Sequence, residues 1–235
     1  MKTIGILGGL GPEATVDYYK EIIKGFNKLN GDGSLTYPEI VIYSVTMSRF
    51  IGLLNKGEKE KAAAYLIECL QKIKNAKADF AVLSANTPHL LFNYIQSKID
   101  LPLISIVDSC AQKANESGLK KCGLIGTKFT MQNQFYQEVF NNYDIQIVVP
   151  DTMDIETINK RLFKELELGI FRDETKTEIL NILRKVKEKE NIDSVILGCT
   201  EFPMMFTEDE YLDIPFLNTT RIHVNAIINN CINGN

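Results

Sequence analysis

Two short stretches of this chain read as one stretch written twice, and that internal repeat limits the possible fold more than any other feature. Asp79-Phe-Ala-Val-Leu-Ser-Ala85-Asn86-Thr87 and Asp193-Ser-Val-Ile-Leu-Gly-Cys199-Thr200-Glu201 each run from an acid, through an apolar segment of strand length, to a small residue followed by polar groups. Ala85 and Cys199 stand 114 residues apart. Two further matches keep nearly the same offset: Ile4-Gly5-Ile6-Leu7-Gly8 with Cys122-Gly123-Leu124-Ile125-Gly126 at 118, and Leu101-Pro102-Leu103-Ile104 with Ile214-Pro215-Phe216-Leu217 at 113. Three anchors in one order predict two similar lobes, each with a strand-end motif facing the other across a cleft. The lobes differ at one chemical point, where one offers a thiol and the other a methyl group.

Between these anchors strand and helix patterns alternate. Thr3 to Leu7 is a β-type run that ends in Gly8-Gly9-Leu10-Gly11-Pro12. The next helix pattern, Glu13 to Leu29, sets Val16, Tyr19, Ile22, Ile23 and Phe26 on one face, and Asn30 to Ser34 reads as a loop. Strands are expected over 40–45, 80–84 and 103–107, then over 122–125, 145–149, 194–197 and 214–217. Helices fill the intervals, among them 131–140 and a closing helix over 220–230. Such alternation predicts parallel sheets covered on both faces. The expected fold is therefore α/β, with two pseudo-symmetric lobes, each a mostly four-stranded parallel sheet flanked by helices, and an active site in the cleft between them. The first lobe is assigned 1–100 plus 212–235 and the second 101–211.

Composition narrows the functional classes. A net charge of −4 and the absence of any Lys/Arg run leave no basic field to hold a phosphate backbone, so nucleic acid is not expected as a partner. No apolar run reaches the ~18 residues that span a bilayer, and the first residues enter a strand rather than a signal-peptide plan, which predicts a cytoplasmic protein without a membrane partner. Five cysteines, Cys69, Cys110, Cys122, Cys199 and Cys231, are odd in number and lack CxxC pairs, so neither a disulfide framework nor a metal site is expected.

Several residues in the repeated motifs carry chemistry. Cys199 ends an apolar strand and precedes Thr200-Glu201, which puts it at a sheet edge. A thiol ionises near ~8.5, and donors aimed at it lower that value, giving a thiolate able to take a proton from carbon. Asn86, Thr87 and Thr200 can hold a carboxylate, although Thr87-Pro88 also suits a helix cap. His89 reads either as a general acid or orienter or as a satisfied structural histidine, and His223 as structural. Arg49, just past the second strand, suits a bidentate carboxylate or a surface salt bridge. The turn at Gly9 brings backbone N–H groups toward a small anion, and Thr127 and Thr130 frame the equivalent turn in the second half. Glu13 and Glu201 can orient amides or an ammonium, or serve helix-start electrostatics. A loose Gly9-x-Gly11-x-x-Ala14 pattern invites a dinucleotide, but Pro12 removes a backbone donor and no acid ends the second strand to hold a ribose.

At these residues the chain resembles the aspartate/glutamate racemase family, cofactor-independent enzymes of two pseudo-symmetric α/β lobes. The likeness runs through Gly8-Gly9-Leu10-Gly11-Pro12-Glu13-Ala14-Thr15, Asn86-Thr87-Pro88-His89, Gly126-Thr127 to Thr130, Glu165-Leu166-Glu167-Leu168-Gly169 and Gly198-Cys199-Thr200-Glu201, nearly the whole chain. Family members usually read Cys-Asn-Thr-x-His in the first lobe, and two thiols flank the substrate's α-carbon. The resemblance implies that Cys199 is one of that pair, that Arg49 grips a substrate carboxylate, that no cofactor takes part, and that the protein is a homodimer. Ala85 stands at the other thiol's position, where a methyl group cannot exchange protons, and Glu167 stands where some aspartate-selective members carry a lysine. The expected function is thus a racemase-family enzyme that acts on aspartate- or glutamate-like acids by thiol-mediated proton transfer at the α-carbon, impaired or altered by Ala85. Single-thiol decarboxylation or isomerisation of a small dicarboxylate, and silent binding of an acidic amino acid, are the alternatives.

Overall fold

A computed structural model describes every residue except Asp32, Gly234 and Asn235; Asp32, within the expected loop over 30–34, lies outside the described residues. In chain order the elements are β1 (Ile4–Gly8), α1 (Pro12–Asn30), β2 (Ile40–Ser44), α2 (Met47–Asn55), α3 (Lys59–Asn75), β3 (Phe80–Leu83), α4 (Phe92–Lys98), β4 (Leu103–Ile104), α5 (Ile106–Glu116) and β5 (Lys121–Gly126). There follow α6 (Lys128–Gln132), α7 (Phe135–Asn141), β6 (Gln146–Val148), α8 (Thr152–Lys164), α9 (Asp173–Glu190), β7 (Ser194–Gly198), α10 (Phe202–Met205), β8 (Glu210–Tyr211), β9 (Ile214–Asn218) and α11 (Thr219–Asn233). Single 3₁₀ turns at Thr87–Leu91 and Leu166–Leu168 precede α4 and follow α8.

The chain forms two compact units, Met1–Ile106 with His223–Asn235, and Val107–Ile222. The first holds a four-stranded parallel sheet in the order β2-β1-β3-β4; the second holds the order β6-β5-β7-β9-β8, parallel except that β8 runs antiparallel to β9. The repeat seen in the sequence survives as strand register. Gly5 pairs with Ala81, and Ala81 with Leu103; Gly123 pairs with Val195, and Val195 with Phe216. The acid that opens each motif has a structural task in both units. Asp79 accepts the Thr3 N–H at 2.6 Å, and Asp193 accepts those of Lys120 and Lys121 at 2.6 and 3.0 Å, so each ties its own strand to the start of the neighbouring one.

The central strands are buried along their length, as continuous apolar runs require when helices cover both faces. Ile4, Ile6, Phe80 and Val82 join Tyr18, Ile22 and Phe26 of α1 and Val224, Ile227 and Ile228 of α11 in the first core. Each such side chain contributes roughly 1.5–3 kcal/mol by leaving water. Ile125, Val195, Leu197 and Phe216 anchor the second core with residues of α8 and α9.

Four expectations are corrected. The boundaries placed at 100 and 212 move, because β4 pairs with β3 of the first sheet and β9 with β7 of the second. The buried stripe of α1 is Ala14, Tyr18, Ile22 and Phe26, spaced by four, while Val16 and Tyr19 are exposed. The helix expected over 131–140 is two helices, since Asn133 turns to an extended backbone and its side-chain amide caps the Phe129 carbonyl at 2.9 Å. Residues 46–49, read as the sheet edge just past the second strand, lead into and begin α2, which Thr46 enters in extended conformation. All five cysteines are free and buried, and no helix among the described residues is long and apolar enough to cross a membrane.

Candidate functional site

In the first unit the strand ends are packed too tightly to leave donors free. A Cβ at Gly8 would collide with the Thr15 side chain, and Gly9, at φ +82°, would drive one to 2.5 Å from the Val45 carbonyl. The Gly9 N–H donates to the Thr15 hydroxyl at 2.8 Å, and that hydroxyl donates to the Gly11 carbonyl at 3.1 Å. The Gly9 amide expected to meet an anion is therefore already engaged inside its own loop. Pro12, at the first turn of α1, costs no hydrogen bond there.

Ala85 follows β3, buried, and its carbonyl accepts from His89 Nδ1 at 2.9 Å. His89 Nε2 accepts the Ile106 N–H at 3.1 Å, which fixes the hydrogen on Nδ1 and the ring as neutral. Burial, reinforced by His223, pushes its pKa down to about 3. Both nitrogens of His89 serve backbone, as the structural one of the two readings requires. His223 mirrors it, accepting from the Tyr18 hydroxyl at 2.8 Å and donating through Nε2 to the Ile104 carbonyl at 3.0 Å, with its pKa pushed down to about 4 by burial.

Asn86 and Thr87 are buried at the start of the 3₁₀ turn, and the Asn86 carbonyl accepts the His89 N–H at 2.9 Å. Arg49 lies in the first turn of α2 with its guanidinium 4.1 Å from the centre of the Tyr65 ring. The Tyr65 hydroxyl accepts the Thr46 N–H at 2.9 Å, so one tyrosine holds both the β2–α2 junction and the arginine. No acid among the described residues pairs with Arg49, against the surface salt bridge that position alone allowed.

The second unit keeps the frame and changes the chemistry. A Cβ at Gly126 would lie 2.8 Å from the Gly198 carbonyl and 2.9 Å from Thr130, so the ends of β5 and β7 and the first turn of α6 close on one another. Thr127 caps α6 by accepting the Thr130 N–H at 3.2 Å, and the two hydroxyls lie 3.1 Å apart. Beyond Gly198, Cys199 is 6% exposed and Glu201 2% exposed. The thiol donates to Glu201 Oε2 at 2.9 Å, and the Thr200 hydroxyl, expected to hold a ligand carboxylate, donates to the Glu201 carboxylate at 3.1 Å.

Glu167 completes this group: its carboxylate, the Cys199 Sγ and the Glu201 carboxylate each offer an atom within 4.8 Å of the others. Glu165 sets the turn that carries it, accepting from the Thr175 hydroxyl and from Arg161 at 2.5 Å each, while its carbonyl accepts the Leu168 and Ile170 N–H groups at 3.0 Å. Gly169, at φ +71°, ends that turn.

Burial pushes the Cys199 thiol well up, with Glu201 and Glu167 adding to it. Burial also raises both acids, Glu167 to about 8 with Glu201 contributing, while the bonds from Cys199 and Thr200 partly offset the rise for Glu201. Burial thus favours the protonated thiol, and it favours the protonated form of Glu167 up to about 8. The same three donors could share a small divalent cation. Sequence reasoning saw Glu201 only as an orienting acid and Glu167 only as a substitution. Adjacency to Cys199 was the available signal for the first; for the second, 32 residues away in sequence, there was none.

The sequence profile described as Asp/Glu/Hydantoin racemase matches residues 7–227. The broad specificity amino-acid racemase RacX of Bacillus subtilis (strain 168) is 29% identical over 150 residues, 63% of this chain and 64% of RacX. A glutamate racemase of Hydrogenobaculum sp. (strain Y04AAS1) is 24% identical over 163 residues, 68% of this chain and 60% of that protein. The chain thus spans less than two thirds of the length of these curated relatives. Among solved structures, PH1733, an aspartate racemase homologue from Pyrococcus horikoshii OT3, is 33% identical with a TM-score of 0.80, over 97% of this chain and 98% of that one. A candidate Asp/Glu racemase from Yersinia pestis is 30% identical with a TM-score of 0.87, over 99% of this chain and all of that one.

Proposed function

The chain belongs to the Asp/Glu/Hydantoin racemase family, and from that premise we propose that it is a cofactor-independent enzyme in which Cys199 moves a proton at the α-carbon of an amino acid. The observation that carries this reading is the 2.9 Å bond from a buried, strand-end thiol to the Glu201 carboxylate. The thiol passes its proton to Glu201, and the resulting thiolate takes the α-proton. Glu201 then holds one proton and the thiol the other, so returning either to the same face of the carbon restores the starting configuration. Ala85, at the position of the second thiol, has no proton to deliver from the opposite face. Arg49, with no acid partner among the described residues, is the proposed clamp for the substrate carboxylate, with Asn86 and Thr87 assisting. A homodimer and a cytoplasmic location complete the reading, the former open to sedimentation.

Proton NMR in D₂O tests it. Loss of the α-proton signal with retained optical rotation, abolished by Cys199→Ser, is the expected result. Exchange unaffected by that substitution would remove the thiol from the mechanism.

A further inference from the structure

The proton transfer just described needs Glu201 and leaves Glu167 without a task. Glu167 is nonetheless held in place: Glu165 is fastened at both carboxylate oxygens, Leu166 is buried, and Gly169 closes the turn. Glu167 itself takes part in no hydrogen bond or ion pair among the described residues, so its oxygens are open to a ligand. Any amino acid whose α-carbon reaches Cys199 brings its other substituents within range of a carboxyl group less than 4.8 Å from the sulfur. On the reading of Cys199 as the proton-transfer thiol, we infer that Glu167 selects a substrate whose side chain carries a positive charge, rather than one with a second carboxylate.

The argument is one of charge balance in a poorly hydrated place. Among the described residues no basic group pairs with Glu167 or Glu201, whose carboxyl groups lie within 4.8 Å of one another. A dicarboxylic amino acid would bring a third carboxyl to two that already resist ionising together, and like charges this close disfavour one another. An ammonium or guanidinium supplies the missing opposite charge, and Glu167 is open to receive it while Glu201 is saturated by Cys199 and Thr200.

The experiment is a panel of L-lysine, L-ornithine, L-aspartate, L-glutamate and L-alanine, each followed by α-proton exchange in D₂O and by binding calorimetry at pH 7. The full chain is compared with Glu167→Gln and Glu167→Lys. Lysine or ornithine is expected to exchange fastest and to bind tightest. The preference for lysine over alanine should fall about tenfold or more in Glu167→Gln. Glu167→Lys should turn the preference toward aspartate or glutamate. If aspartate or glutamate exchanges faster than lysine in a Cys199-dependent way, or if Glu167→Gln leaves the preferences intact, the inference is overturned while the thiol reading stands. If no amino acid exchanges or binds, the thiol reading fails and this inference with it.

Discussion

After β3 the chain sets Ala85 against a neutral histidine; after β7 it sets Cys199 against two carboxyl groups. The strands leading to these points share their order and register, and each central strand begins with the same acid-to-backbone tie. What separates the two ends lies partly inside the repeated segment, in Cys199 and Glu201, and partly outside it, in Glu167 and the histidines. In the first unit His89 and His223 serve only backbone and a tyrosine, so every titratable partner is held neutral. In the second, Glu167 arrives from the turn after α8 and Glu201 from the residue past Thr200. The comparison teaches that one repeated frame can end in a neutral, hydrogen-bonded histidine or in a thiol beside two acids, according to the side chains placed around it.

The sharpest way to break the contrast is to remove the acid from the reactive end. Glu201→Gln should lower α-proton exchange by roughly 10²–10⁴-fold, read by NMR in D₂O, because the thiol loses its base. Equal exchange in variant and parent would make the two strand ends chemically alike. Conversely, Ala85→Cys should bring racemisation above that of the parent, measured by polarimetry.

Next in size is His89→Phe, which keeps the ring and its stack on Phe92 but strands the Ala85 carbonyl and the Ile106 N–H. Each buried group left without a partner costs about 1–3 kcal/mol, so chemical denaturation should show a loss of a few kcal/mol. Little or no loss would mean the histidine is not the fastener described.

The pH response should separate the units in opposite directions. His89 and His223 fall from 6.5 to about 3 and about 4 in the folded protein, so their contribution is whole above about 6.5 and is lost as the pH falls toward those values. Glu167 rises from 4.5 to about 8, so its contribution is whole below 4.5 and is lost as the pH rises through about 8. Amide exchange read by mass spectrometry should show the first unit loosening in acid and the second in mild alkali, with Glu167→Gln flattening only the alkaline limb. Parallel loosening of both units would dissolve the contrast. Smallest of all, Thr127→Ala should cost about 1 kcal/mol through the lost cap of α6, measured by thermal unfolding.

Much of the frame was legible because it rests on long apolar runs and on a repeat, both of which survive translation into register. The strand-end position of Cys199 was legible for the same reason. The phase of α1 was not, since Ala14 counts little as a hydrophobe and Tyr18 hides a hydroxyl that only His223, 205 residues away, makes affordable to bury. The short α2 was not, because its first residues also suit a strand edge. Glu167 could be named as unusual but not placed, because its position depends on how Glu165 is fastened by Arg161 and Thr175.

The first unit is completed by residues that follow the second, with Val224, Ile227, Ile228 and Cys231 packing on Ile4 and Ile6. During synthesis, therefore, the second unit can fold as it emerges, while residues 1–106 wait with an open face until α11 has left the ribosome. Shortening α11 by its final turns should harm the beginning of the protein more than its middle, and the waiting interval is when the chain most needs protection from aggregation.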